Sequence, residues 1–270
     1  MNYVNCNKED LEKEYAALVA EYEEVKGKGL KLNMARGKPG EDQLNLSRPL
    51  LDVINSSTDC ITAHGADCRN YGELAGIDEC KNFFAEIFDV DPSDVMVGGN
   101  SSLNMMFDTI AGFMTKPVVE GCKPWYEVKN RKFLCPAPGY DRHFAITEYF
   151  DFDLIPVPMT ENGPDMDVVE KLVENDDSIK GIWCVPKYSN PLGITFSDET
   201  VKRFAALKPA AKDFRIMWDN AYCVHDVTDT PDELLSLMAE CRKTGNVDLP
   251  IMFTSTSKIT FPGSGVAAMA

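Results

Sequence analysis

Pro250-Ile-Met-Phe-Thr-Ser-Thr-Ser-Lys258 is the segment from which the architecture of this chain can be inferred. Its apolar first half predicts a buried strand, which ends in a turn of hydroxyl side chains with a lysine. Hydroxyl groups can bind a phosphate, and a lysine amine can bond covalently to an aldehyde. A lysine after a strand is, taken alone, more often a solvated strand end, so other segments must distinguish the two interpretations.

Length and composition are those of an ordinary globular protein. The chain has 270 residues, 44% hydrophobic, and 43 acidic against 27 basic residues give a formal charge of −16. Such a field opposes binding to nucleic acid or to anionic membranes. Nine scattered cysteines without a C-x-x-C pair indicate a reduced protein rather than a disulfide scaffold or a zinc site. With no signal peptide or long apolar run, we expect a cytoplasmic protein.

Predicted strands alternate with predicted helices along the chain. The alternation indicates an α/β fold whose ligand site lies at the ends of the strands. Helices are predicted at 8–26, 48–56, 77–88, 103–110, 166–173, 198–207 and 232–242, and strands at 95–97, 132–135, 152–158, 180–186, 214–219 and 250–255.

Several polar or aromatic residues follow predicted strands. A turn at Gly99-Asn100-Ser101-Ser102 precedes a helix, where free N–H groups can bind phosphate, although a structural turn is the commoner role. Each of the others also has an ordinary alternative: a core aromatic, a β-turn, a strand end or a structural histidine. They are Tyr140, Asn190, Asp219, Tyr222, Lys258 and, with its role left open, His143.

Together these residues answer the needs of pyridoxal 5'-phosphate. Lys258 would hold the aldehyde as an imine and would then shuttle a proton at the substrate α-carbon. Asp219 would pair with the protonated pyridine nitrogen and keep the ring an electron sink. Tyr222 and Asn190 would hydrogen-bond the phenolic oxygen, and Tyr140 would stack on the ring.

The sequence resembles the fold-type I pyridoxal-phosphate enzymes, and among them the class I aminotransferases of the aspartate aminotransferase group. The matching motifs are Asn-Pro-Leu-Gly at 190–193, Asp-Asn-Ala-Tyr at 219–222 and Ser-Thr-Ser-Lys at 255–258. Residues 33–39 and 257–265 resemble a divergent bacterial branch. The resemblance implies a three-layer α/β fold with a mostly parallel sheet. It also implies a homodimer.

The resemblance assigns further roles within the site. It implies that the turn 99–102, with Ser255 and Ser257, binds the cofactor phosphate, and that Tyr71 reaches the phosphate of a neighbouring subunit. Amino acid and 2-oxo acid substrates are implied, with aspartate and 2-oxoglutarate as the best guess. We expect Arg36 and Gly37 to hold a substrate carboxylate, although Arg36 could equally be a surface residue.

Two features depart from the family pattern. Val266 stands where the family commonly has a phosphate-binding arginine. The family also continues well beyond the position of residue 270, so we expect the chain to be incomplete at its carboxyl terminus. Residues 1–46 are predicted to be an amino-terminal helix and arm that belong to a small domain, and residues 47–270 the cofactor-binding large domain.

Other functions remain open at this point. A lyase or decarboxylase would use the same cofactor as the same electron sink. A pyridoxal-phosphate-binding regulator or an inactive fragment is a third alternative, although regulators with this fold usually carry a basic winged-helix domain, and the acidic first fifty residues do not resemble one.

Overall fold

A computed structural model describes residues 3–32, 38–226 and 228–270. The chain divides into two compact units, residues 1–46 and 47–270. The first contains α1 (Lys8–Gly27) and α2 (Glu41–Leu46). That this unit belongs to a small domain, and the second to a cofactor-binding large domain, stays a prediction.

The helix predicted at the amino terminus is present as α1. Asn7 caps it, because its side-chain oxygen accepts a hydrogen bond from the Asp10 N–H at 2.9 Å. The apolar side chains that the periodicity placed on one face remain exposed: Leu11, Tyr15, Leu18, Val19, Tyr22 and Val25. The sequence therefore predicts the helix correctly, but its apolar face is not buried.

The second unit contains the remaining regular elements. Its helices are α3 (Asp78–Phe88), α4 (Ser102–Thr115), α5 (Asp141–Tyr149), α6 (Met166–Asn175), α7 (Asp198–Ala205) and α8 (Leu237–Thr244). Its strands are β1 (Met96–Val97), β2 (Lys132–Ala137), β3 (Asp153–Thr160), β4 (Gly163–Pro164), β5 (Ile179–Cys184), β6 (Arg215–Asp219), β7 (Pro250–Ser255) and β8 (Ala267–Met269).

The eight strands form one mostly parallel sheet, which confirms the predicted fold class. Their spatial order is β1-β8-β7-β6-β5-β2-β3-β4. The central run from β7 through β6, β5 and β2 to β3 is parallel, and the pairs with β1, β4 and β8 are antiparallel. The order of connection reverses between β5 and β2, and ligands of open α/β sheets bind beside such a point.

Each strand of the central sheet contributes to two hydrophobic cores, one on each face. Leu134, Ile182 and Ile216 lie in register and pack against α3, α6, α7 and α8. Their neighbours Trp183 and Met217 point the other way, towards α4 and α5. Both faces are therefore covered by helices, which gives the three layers that the resemblance implied.

Several details of the predicted elements were wrong or missing. The segment predicted as a helix at 48–56 is a short 3₁₀ turn, Arg48–Asp52. Ser47 makes no side-chain capping bond, because its backbone is helical rather than extended, and its hydroxyl donates to the Ile259 carbonyl. The helix predicted from residue 232 begins only at Leu237, where Ser236 caps it. The helices α2 and α5 and the strands β4 and β8 were not predicted. Across the described ranges, no helix is both long and apolar enough to span a bilayer.

Candidate active site

The candidate site lies where the parallel strands end. Tyr140 follows β2, Asp219 ends β6, and the hydroxyl-rich turn follows β7. The carboxyl ends of parallel strands share one edge of a sheet, so residues distant in sequence meet there. The short turn after β2 depends on Gly139, because a Cβ at that position would come within 2.8 Å of the Phe144 ring.

Asp219 is a buried carboxylate with one bonded and one unbonded oxygen. The residue is 5% exposed, and its Oδ2 lies 2.9 Å from Nε2 of His143, which is 1% exposed. A carboxylate can only accept, so Nε2 carries the hydrogen. The other oxygen, Oδ1, is buried without a hydrogen-bond partner. Because an unsatisfied buried acceptor is costly, Oδ1 is suited to accept a bond from a ligand.

Aromatic rings fix the position of His143. Its ring stacks on the indole of Trp183, with centroids 4.7 Å apart and planes at 17°. The Tyr140 ring meets it edge-on at 5.0 Å. Such packing holds the imidazole in one orientation, so the hydrogen bond to Asp219 is geometrically fixed.

Tyr222 and Lys258 also lie close to each other. The Lys258 amine lies 5.6 Å from the centre of the Tyr222 ring, within cation–π range. Burial raises the pKa of the Tyr222 phenol, and the negative charge of Asp219 raises it further. The phenol therefore stays protonated at neutral pH and is available as a hydrogen-bond donor.

The hydroxyl turn and the glycine turn are joined directly. The Ser257 hydroxyl donates to the Asn100 carbonyl at 3.3 Å, and the Asn100 side-chain amide donates to the Gly263 carbonyl at 3.1 Å. Ser101 caps α4 through a bond from the Asn104 N–H at 3.4 Å. The amino-terminal end of α4 therefore lies beside the turn that carries Ser257.

Val266 has a structural role in this arrangement. Its N–H donates to Thr256 Oγ1 at 2.9 Å, its carbonyl accepts from the Thr256 N–H at 2.8 Å, and its side chain packs against the core. Gly265 is needed beside it, since a Cβ there would come within 2.6 Å of Thr256 Oγ1. The half-buried Val266 side chain thus packs against the core, while its backbone holds the hydroxyl turn.

The structure does not bring every predicted site residue to this cluster. Asn190 is exposed in the turn after β5, although its neighbour Ser189 lines a small cavity beside Tyr140 and His143. Tyr71 is 98% exposed. Arg36 and Gly37 lie outside the described residues. No cluster of metal-ligating side chains occurs within the described ranges.

Two contacts at the site were not anticipated from the sequence. One is the bond from His143 to Asp219, which joins residues 76 positions apart. The other is made by the buried Lys187, whose amine lies 2.9 Å from Asp226 Oδ1 and 3.3 Å from the Cys223 carbonyl. Lys187 therefore ties the loop after β5 to the turn that carries Tyr222. In the sequence, the only signal for this contact was a lysine directly after an apolar strand and three residues before Asn-Pro-Leu-Gly.

Comparison with known proteins identifies the family of the chain. The family model described as aspartate amino-transferase matches residues 6–270. An aspartate aminotransferase of Corynebacterium glutamicum is 45% identical over 246 residues, which are 91% of this chain and 56% of that protein. A solved aspartate transaminase from the same organism is 42% identical with a TM-score of 0.88, over 98% of this chain and 62% of that one.

More distant structures share the fold alone. An α-aminoadipate aminotransferase from Thermus thermophilus, solved with N-(5'-phosphopyridoxyl)-L-leucine, is 20% identical, with a TM-score of 0.65 over 87% of this chain. The chain spans less than two thirds of the length of each of these relatives. On the match over residues 6–270, the chain belongs to the aspartate aminotransferase family.

Proposed function

We propose that the protein containing this chain transfers an amino group between an amino acid and a 2-oxo acid, using pyridoxal 5'-phosphate. The observation that carries the proposal is Asp219, whose buried Oδ1 has no partner while His143 holds Oδ2. A protonated pyridine nitrogen would donate an N–H hydrogen bond to this oxygen, and its positive charge would strengthen that bond. The donor set of the site therefore fits the cofactor ring.

The neighbouring residues suit the rest of the cofactor. Tyr140, after β2, would offer its ring as a stacking surface. The end of α4 and the hydroxyls of Ser255 and Ser257 would bind the phosphate, as helix amino termini bind anions. Gly99, Asn100, Ser101 and Ser102 would supply this turn, which the Ser257–Asn100 bond holds in place.

The chain's own residues would hold the cofactor and move the protons. When bound, the cofactor would supply an electron sink for negative charge on the substrate α-carbon. Lys258 would hold the aldehyde carbon through Nζ, and the freed amine would carry the proton to and from the α-carbon. The protonated phenol of Tyr222, together with Asn190, would donate to the ring's phenolic oxygen. His143 would keep Asp219 oriented.

Aspartate and 2-oxoglutarate are the proposed substrate pair. Support comes from the aspartate aminotransferase of C. glutamicum, which is 45% identical. Arg36 and Gly37 are proposed to bind a substrate carboxylate, since guanidinium groups pair bidentately with carboxylates. Replacement Arg36→Ala should then raise KM for dicarboxylates. If the variant has the same KM for dicarboxylates as the parent protein, Arg36 is a scaffold residue.

The working form is proposed to be a cytoplasmic homodimer with Tyr71 reaching the partner's phosphate. Nine scattered cysteines without a C-x-x-C pair support a reducing compartment. Support for association comes from the large side chains left in water: Tyr71, Leu74, Leu50, Leu51, Val53 and Ile54. Light scattering should give twice the chain mass, and Tyr71→Phe should weaken cofactor binding without changing that mass. A monomer that binds the cofactor normally would contradict shared sites.

Borohydride trapping tests the proposed function. Protein incubated with pyridoxal phosphate, reduced and digested should carry the label on Lys258. Lys258→Ala should lose the label, whereas Lys187→Arg, which changes another lysine near the site, should retain it. Label on a different lysine would overturn the assignment.

An amino-donor screen on the full natural chain then identifies the reaction. Amino transfer to 2-oxoglutarate supports the proposal. Release of ammonia or carbon dioxide without transfer would indicate a lyase or decarboxylase instead. Cofactor binding without any turnover would indicate a regulator or an inactive protein.

A further inference from the structure

Cys60 and Cys68 face each other across a small hairpin at the surface. Ile61 and Asp67 form an antiparallel bridge, and the Cys68 N–H donates to the Cys60 carbonyl at 2.8 Å. On the other side of the bridge, the Thr62 N–H donates to the Ala66 carbonyl at 2.8 Å. The two hydrogen bonds enclose the bridged pair, so Cys60 and Cys68 are the next residues opposite each other.

This register places both thiols on one face of the hairpin. Opposite residues of an antiparallel pair share a face, and a backbone-bonded pair has Cα atoms about 5.5 Å apart. Disulfides require Cα separations of about 4.4–6.8 Å. The Cα separation expected from this register lies within that range, so we expect rotation about the Cα–Cβ bonds to bring the sulfurs together.

We propose that Cys60 and Cys68 are a redox modification site, which hydrogen peroxide converts reversibly to an intramolecular disulfide. Neither cysteine is in a disulfide in the structure; Cys68 is exposed and Cys60 half-buried. Asp67 forms an ion pair with Arg69, whose Nε and Nη2 lie 2.8 and 2.7 Å from its two carboxylate oxygens.

The reaction balances with one molecule of peroxide. One thiolate attacks a peroxide oxygen and becomes a sulfenic acid, and the departing hydroxide takes up a proton to form water. The second thiolate attacks the sulfenic sulfur, the S–S bond forms, and the hydroxide released there becomes a second water. Two thiols lose two electrons, and the peroxide gains them. A dithiol reductant reverses the change by thiol–disulfide exchange.

Peptide mapping tests the proposal on the native protein. After peroxide treatment, iodoacetamide and trypsin, residues 37–69 form one peptide that contains Cys60 and Cys68 and no other cysteine. This peptide should lose both alkylation adducts and two hydrogens, and dithiothreitol should restore them. Cleavage before Asp67 should give two fragments joined only by the disulfide.

Two controls show whether the fold is responsible. Cys68→Ser should abolish the linked peptide, whereas Cys122→Ser, at another half-buried cysteine, should leave it unchanged. In urea the same pair should link several-fold more slowly, because the hairpin no longer holds the residues opposite. The proposal is overturned if the native protein gives only sulfinic acid or intermolecular links. It is also overturned if linkage is equally fast in urea.

Discussion

Replacing Asp219 by asparagine should slow amino transfer while it leaves the stability of the fold nearly unchanged. Two buried aspartates flank this strand: Asp213, two residues before it, and Asp219, its last residue. Asp213 uses both oxygens, one 2.7 Å from the Lys180 amine and one 2.9 Å from the Trp125 indole nitrogen. Asp219 uses one oxygen only. The same Asp→Asn change should therefore have opposite effects at the two ends.

The magnitudes follow from what each substitution leaves behind. Asp213→Asn leaves the buried Lys180 without its counter-charge. It also places an amide N–H opposite either the Lys180 amine or the Trp125 indole N–H, both of which are donors. Removing one partner of a buried ion pair costs about 3–5 kcal/mol, a large part of a typical stability of roughly 5–15 kcal/mol. Asp219→Asn can keep a neutral bond to His143, so without cofactor it should change the unfolding free energy by about 1 kcal/mol or less.

Amino transfer should show the reverse pattern. Asp219→Asn removes the charge proposed to face the cofactor ring, and a loss of about 3–5 kcal/mol slows transfer about 10²- to 10⁴-fold. Asp213→Asn should leave the rate of its folded fraction nearly unchanged. Urea unfolding and single-turnover rates on the full natural chain measure both effects. A transfer rate for Asp219→Asn within threefold of the parent would refute the role given to its free oxygen.

Three further predictions concern residues around the sheet. Lys187→Met removes the bonds to Asp226, so amide exchange should rise in the turn that carries Tyr222; unchanged protection would contradict the tie. Lys132 and a hydroxyl neighbour lower the pKa of Asp176 to about 2, so its contribution is full above about pH 4 and is lost as pH falls towards 2. Asp176→Asn should thus lower the unfolding free energy at pH 6 by about 1 kcal/mol or less, measured as a lower urea midpoint, and leave it unchanged at pH 2. Burial raises the pKa of Cys135 to about 12, so iodoacetamide should label it only after unfolding; fast labelling of native protein would place it at the surface.

Local patterns predicted most elements because local forces decide them. The apolar run 250–255 forms β7 with those bounds, and 166–173 lies within α6. The failures have causes outside the local sequence. Ser47 has the chemistry of a helix cap, but its backbone is helical rather than extended, and its hydroxyl donates to the carbonyl of Ile259, more than two hundred residues away. Propensity cannot register such a distant contact.

Some residues of the candidate site could be predicted from the sequence, and others could not. Strand ends marked by Asp219, Tyr222 and Lys258 could be placed at one edge of the sheet, because parallel strands bring their carboxyl ends together. The partner of Asp219 could not, since His143 lies on α5, a helix that the sequence did not reveal. Its orientation depends on Trp183 from a third element. Such contacts are fixed only when the whole sheet assembles.

Val266 shows how a departure from the family pattern can be accommodated. Its backbone bonds Thr256 in both directions, so this position fixes the hydroxyl turn. The turn is in turn bonded to Asn100 through Ser257, beside the amino-terminal end of α4. In the proposed function, the Ser257 hydroxyl would have to turn from the Asn100 carbonyl to the phosphate, because one hydroxyl donates one hydrogen bond. The N–H groups and the dipole at the amino-terminal end of α4 would supply further attraction in place of the arginine that this position lacks.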